Sequence, residues 1–340
     1  MHKGPAGTGS RRGAPSAGHT AEMGGMPPIP ASPGPRIPSS GNANPAPAWV
    51  NPLAGEAETL IRQEAFTEGY WQGLYEGGEG RVSRLIPPYY VLPELTADHL
   101  IEAGFRQHAL SLMPLLSPSA VSGLLMEALS LRRPFSLVRL GDGELLTLAH
   151  DTVLTVEEAR ARGPFLSYAG VQLPDHPVRD RMAASLHAAD LIGIPESRHP
   201  NYQGLLFPVL RHYGIDYRSL RLTSSTINYA LNEQGYLMRV LQGRRVLIVG
   251  NKAAGLAQVL AINGVQVSGC VGEVTGVADT DRVMNRIREL RGSFDIALVA
   301  AGIAAVILCP IIAQELGVAA VDFGHLANKL ENGEVQLGLP

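Results

Sequence analysis

The sequence predicts an α/β protein built on a doubly wound, Rossmann-like and mostly parallel sheet, preceded by a disordered tail. Three observations predict it. Short apolar runs alternate regularly with segments of helical period. Several of those runs are apolar at every position, as strands buried on both faces are. Glycines punctuate the turns that lead from apolar runs into helices. The 340 residues suffice for one large α/β domain or two small ones. A formal charge of −3 shows no basic face for nucleic acid, so none is expected as a partner. Cys270 and Cys309 match no zinc or redox spacing and read as small core thiols in a reduced compartment. No apolar h-region of a secretory signal is visible, and the expected location is cytoplasmic.

Residues 1–55 hold 11 prolines and 10 glycines, a composition that cannot recover its ordering entropy. They predict a disordered, mildly basic tail, inert or an electrostatic tether. From residue 56 to 95 the chain predicts an aromatic helix and a proline-rich connector. Phe66, Tyr70 and Leu74 recur every four residues, and the glycines from Gly77 end the helix. Such a stripe packs on a neighbour or stacks on a sugar. The α/β domain is expected over 96–335.

Ser117-Pro118 predicts a helix start, with Val121, Leu125 and Leu129 on one face and Arg132-Arg133-Pro134 as its stop. "FSLVRL" reads as a strand, and "ELLTLAH" as the helix after it. "VRDRMAASLHAAD" is helical and leads into the strand "LIGIP". "RRVLIVG", "VQVSGCVG", "FDIALVAAG" and "VAAVDFG" are strands, separated by the helices "KAAGLAQVLAING", "DTDRVMNRIRELRG" and "AAVILCPIIAQELG". The uncharged run from Ile296 to Ala313 is long enough to resemble a membrane span. Gly302 and Pro310 interrupt it, and it reads instead as a buried strand, turn and helix.

The turns carry the candidate chemistry. "RLGDGE" places Asp142 and Glu144 either side of Gly143 at the carboxyl end of an early strand, where open α/β sheets bind ligands. Two carboxylates so spaced can hold one hard divalent ion, with Gly141 and Gly143 admitting the backbone closely. They can equally cap and charge the start of the next helix. Arg139, in an otherwise apolar strand, can reach a phosphate or pair with a carboxylate. "VGNKAAG" offers Asn251 and Lys252 at a glycine turn that either cradles a phosphate or is a plain Rossmann-type turn. With Glu273 ending the next strand it admits an NAD(P)-binding enzyme, although G-x-G-x-x-G is missing. "RLTSSTINYAL" clusters hydroxyls and amides, Thr226 and Asn228 among them, suited to sugar or base hydrogen bonds or to helix capping. His325, just past the last strand, can be a metal ligand, a phosphate contact or a general base.

"SLVRLGDGE", "ADLIGIP" and the closing "AAVILCPIIAQELGVAAVDFGH" resemble the GT-D-type glycosyltransferases, bacterial enzymes whose single Rossmann-like domain carries an Asp-x-Glu motif after an early strand. The resemblance covers about residues 117–330 and is closer to GT-D-like domains of spore-forming bacteria than to the better-known enzymes. It implies transfer of a sugar, typically glucose, from a UDP-sugar to a glycan or glycosylated protein, with manganese or magnesium as cofactor. It makes Asp142 and Glu144 ligands of the cation and its diphosphate, and His325 a second contact there. The chain departs from the pattern after His325, reading "LANKLENGE", so Glu331 is the nearest following carboxylate to stand for a catalytic acid. A non-catalytic nucleotide-sugar-binding module of the same fold is the alternative, and a homo-oligomer is compatible with either.

Overall fold

The computed structural model describes residues 52–339, with side chains from residue 58 onward. The predicted tail lies outside the described residues as far as residue 51. Residues 52–55 belong to a helix, since a proline such as Pro52 is tolerated in a first helical turn. The chain divides into two units at His108/Ala109.

The first unit contains α1 (Pro52–Gly77), α2 (Glu79–Ser83) and α3 (Ala97–Gln107). Tyr75 packs on Gly80, where a Cβ would press on its ring and carbonyl. Phe66, Tyr70, Trp71 and Leu74 are exposed, and the Tyr70 and Trp71 rings meet edge to face at 5.5 Å.

The second unit follows the predicted alternation: α4 (Pro118–Leu131), β1 (Phe135–Arg139), α5 (Asp142–Ala149), α6 (Val156–Arg162), α7 (His176–Ala188), β2 (Leu191–Ile194), α8 (Gln203–His212), β3 (Leu222–Ser224), α9 (Ile227–Glu233), α10 (Tyr236–Leu241), β4 (Arg245–Gly250), α11 (Ala253–Ile262), β5 (Gln266–Val271), α12 (Thr280–Glu289), β6 (Ile296–Ala300), α13 (Ala304–Leu316), β7 (Ala319–Asp322) and α14 (Leu326–Glu331). The Ser117 hydroxyl caps α4 by accepting the Ala120 N–H at 3.3 Å, as the sequence predicts. The apolar run from Ile296 is β6, a turn and α13, and among the described residues no helix is long and apolar enough to cross a membrane.

The seven strands form one sheet in the order β3-β2-β1-β7-β6-β4-β5, every pair parallel. Successive residues of β1 face opposite layers: Phe135 and Leu137 join the core under α4, α9, α10, α11 and α14, while Val138 faces the core under α5, α7, α8, α12 and α13. That two-sided burial is why the inner strands read as continuous apolar runs. Cys309 is buried in α13 as expected. Cys270 departs from expectation and is exposed, because β5 is an edge strand covered on fewer sides.

Winding in both directions from the centre leaves a switch point. β1 leads over one face toward β2, whereas its neighbour β7 leads into α14 on the other. Adjacent connections that part in this way open a crevice at the carboxyl ends of their strands. The crevice lies between Arg139 and Asp322, the last residues of β1 and β7.

Candidate active site

Arg139 and Asp322 meet at that crevice as a buried pair. Nη2 of Arg139 stands 2.8 Å from Oδ1 of Asp322, while Oδ2 accepts the Arg139 backbone N–H at 3.2 Å. The guanidinium also donates from Nε to the Asp322 carbonyl at 3.1 Å, and from Nη1 to the Ser225 carbonyl at 3.0 Å and Oδ1 of Asn228 at 3.4 Å. Asn228 is itself anchored by donating to the Phe323 carbonyl at 2.8 Å. Gly324 completes the cradle. Its φ of +53° suits glycine, and a Cβ there would collide with Nη2 of Arg139. Burial alone would lower the Arg139 pKa, but the charge and hydrogen bond of Asp322, followed by Glu144 and Tyr229, raise it overall. Burial lifts the Asp322 carboxyl above its ordinary range against the pull of Arg139.

The Gly-Asp-Gly-Glu stretch straddles the start of α5 rather than preceding it. Gly141 is the N-cap, Asp142 the first helical residue and Glu144 the third. Oε2 of Glu144 reaches back to accept the Gly141 N–H at 2.8 Å, and Oδ1 of Asp142 accepts the Gly143 N–H at 2.9 Å. The capping role is therefore realised. Neither Oδ2 of Asp142 nor Oε1 of Glu144 accepts a hydrogen bond from another described residue. Glu144 is largely enclosed, and burial, then the charge of Asp322, push its pKa to about 7, against the backbone bonds and Arg139. Asp142, Glu144 and Asp322 thus line one cleft with Arg139.

These residues floor a cleft of about 510 Å³. Phe165, Tyr168, Tyr202 and Tyr229 stand along it. Burial, then the nearby charge of Asp142, raise the Tyr202 hydroxyl. Thr226 also lines the cleft, its hydroxyl 2.9 Å from that of Ser224. His325 is exposed at the rim, and its ring has no hydrogen bond or ion pair among the described residues. Among those residues, no group of three or more His, Cys, Asp or Glu is arranged to hold a metal ion. The free oxygens of Asp142 and Glu144 are nonetheless hard donors of the kind magnesium and manganese take. Such ions usually fill the rest of their shell with substrate phosphates and water.

A fold with the Asp-x-Glu turn at its switch point also matches by family: the model of the GT-D fold-like domain covers residues 116–330. The chain belongs to the GT-D-like family. No curated protein matches it. Two solved structures share 18% identity with it. One is described as a new glycosyltransferase (DUF1792) from Streptococcus sanguinis, with a TM-score of 0.45 over 66% of this chain and 85% of that one. The other is described as a highly conserved domain of unknown function 1792 with a distinct glycosyltransferase fold, with a TM-score of 0.43 over 68% and 85%.

Asn228, Asn251, Lys252, Glu273 and Glu331, all singled out from sequence, are not among the residues lining the cleft of this GT-D-like domain. Asn251 exchanges two hydrogen bonds with the Val274 backbone, at 2.8 and 2.7 Å, tying the β4 turn to the β5 turn. Nζ of Lys252 pairs with Oε2 of Glu331 at 2.9 Å. The Glu331 side chain lies across Gly255, so closely that a Cβ there would press on its carboxyl group. The glycines of this turn serve packing: Gly250, at φ +138°, lets the Ala300 carbonyl of β6 approach, and Gly255 admits Glu331.

Asp322 and the four aromatic residues escape the sequence reading. Asp322 had a signal, as the acid of "VDFGH" ending an apolar strand, and Arg139 ends another in the same way. Only the adjacency of the first and last strands joins them. The aromatics come from separate loops and helices and carry no common period.

Proposed function

We propose that the protein is a glycosyltransferase that moves a sugar from a UDP-sugar, glucose being the sugar the family resemblance implies, to a glycan or glycosylated acceptor. The excess of negative charge at the switch point carries the reading. Asp142, Glu144 and Asp322 line the cleft with Arg139, the one arginine among its described lining residues, a balance of about −2 when all are ionised. A diphosphate would be repelled from such a floor, and a divalent cation bound there would restore neutrality. Asp142 and Glu144 would hold that magnesium or manganese through their free oxygens. The ion would offset the charge that builds on the departing diphosphate.

The chain's own residues do the rest. Arg139, committed to Asp322, Ser225 and Asn228, holds β1, β7 and α9 in register beneath the carboxylates. Phe165, Tyr168 and Tyr202 offer ring faces to a base or sugar. When the bond from the anomeric carbon to the diphosphate oxygen breaks, the acceptor hydroxyl forms the new bond and gives up its proton. The His325 imidazole at the rim is the group to take it.

A second reading, a non-catalytic nucleotide-sugar-binding module, draws support from Glu331, which is paired with Lys252 rather than turned into the cleft. Thermal melting with UDP-sugars, with and without manganese, tests the binding common to both. A metal-dependent rise in melting temperature is expected, and unchanged UDP affinity in EDTA would overturn the metal-dependent reading. Slow release of UDP from the donor without acceptor distinguishes the enzyme from the module.

A further inference from the structure

A concentration of positive charge in the sheet domain lies at the edge opposite the cleft. The amino ends of β1, β4, β6 and β7 surround a second cavity of about 560 Å³, within the range of small-molecule sites. Four arginines line it: Arg132 and Arg133 after α4, and Arg244 and Arg245 entering β4. Asp295 is the one carboxylate among the described lining residues, and it is consumed by Arg245. Its oxygens take Nη2 at 2.7 Å, the backbone N–H at 2.9 Å and Nε at 3.3 Å. Arg132, Arg133 and Arg244 have no salt bridge among the described residues. Arg244 makes only two long hydrogen bonds, at 3.5 Å, to the Leu129 carbonyl and Ser130 hydroxyl.

Helix ends explain part of this charge. The carboxyl ends of α4, α10 and α13 reach the cavity, each with about half a negative charge. Together they offset about half of the three unpaired guanidinium charges. Arg132 is also placed against backbone preference. It is the left-handed C-cap of α4, at φ +50°, a position glycine or asparagine ordinarily takes.

We propose that this cavity is an anion site taking a small polyphosphate, inorganic or nucleotide-borne, through Arg132, Arg133 and Arg244. Guanidinium forks match phosphate oxygens two at a time, and a chain of two or three phosphates spans several such forks at once. The site is separate from the carboxylate cleft and does not depend on its proposed activity.

Calorimetric titration of the full chain with tripolyphosphate and with ATP, in EDTA and near-physiological salt, tests it. The Asp142→Asn variant serves as host in a parallel titration to exclude binding at the cleft. Both hosts are expected to bind, and equal affinities for the two ligands would assign recognition to the phosphates, a tighter ATP to the nucleotide. Arg132→Gly keeps the left-handed conformation and Arg133→Gln keeps a polar side chain without the charge. Together they are expected to weaken binding by about a hundredfold, tenfold per guanidinium, while the variant melts cooperatively. Absence of binding, an effect that sulfate reproduces at equal ionic strength, or unchanged affinity in the folded double variant would each overturn the proposal.

Discussion

Replacing Glu144 by glutamine isolates the electrostatic tension at the head of α5. The carboxyl group is held near 7 rather than its ordinary 4.5, chiefly by burial and then by Asp322. Between those two pH values the folded protein keeps a proton that the unfolded chain has released, so stability falls as pH rises. Above about 7 the whole cost is present. At 1.36 kcal/mol per pH unit it amounts to about 3 kcal/mol. Glutamine retains an oxygen for the Gly141 N–H and carries no charge. Glu144→Gln is therefore expected to melt higher than the parent protein at pH 8 in EDTA, and at nearly the same temperature at pH 5. With about 2–4 °C per kcal/mol for a domain of this size, the gap at pH 8 is about 6–12 °C. Scanning calorimetry across pH 5–8 reads it directly. A gap that does not change with pH, or a variant that melts lower at pH 8, would count against a protonated Glu144. It would mean that the carboxylate is ionised and satisfied inside the fold.

Asp142→Asn removes a charge at the cleft without touching the core, so manganese-dependent UDP binding measured by calorimetry is expected to vanish while the melting temperature holds. Asp322→Ala leaves Arg139 buried without its counter-ion, and a loss of about 3–5 kcal/mol is expected in denaturant titration. Gly324→Ala forces a side chain into the left-handed region and against the same guanidinium. It should cost more than about 1 kcal/mol, whereas Ala at the left-handed but open Gly333 should cost less. His325→Gln should leave UDP binding intact and slow sugar transfer by about 10²–10⁴-fold in a turnover assay, the usual worth of a positioned base.

The fold was legible where pattern is local. The apolar runs that became β1, β4, β6 and β7 are uninterrupted because both faces of a parallel sheet are covered, and Ser117-Pro118 announces α4 by capping chemistry alone. β3 was not legible: its three residues lie in a hydroxyl-rich stretch whose pairing with β2 is decided by tertiary contact. The aromatic stripe of α1 has helical spacing and forms a helix, yet spacing says nothing of what covers it, and Phe66 and Trp71 are exposed. In the site, Asp142, Glu144, Thr226 and His325 converge because each follows a strand of one parallel sheet. Strand order separates Lys252 from them, and α14 carries Glu331 away from the His325 turn. Those two residues find each other instead, across helices that no periodicity pairs.

The bond between Arg139 and Asp322 spans 183 positions of chain. At ribosomal elongation rates of about 5–20 residues per second, the arginine emerges about 10–40 s before its counter-ion exists. Throughout that interval the middle of the sheet lacks a strand, and the nascent domain presents an open seam beside a bare cation. The last strand to be translated is thus the one that seals the centre.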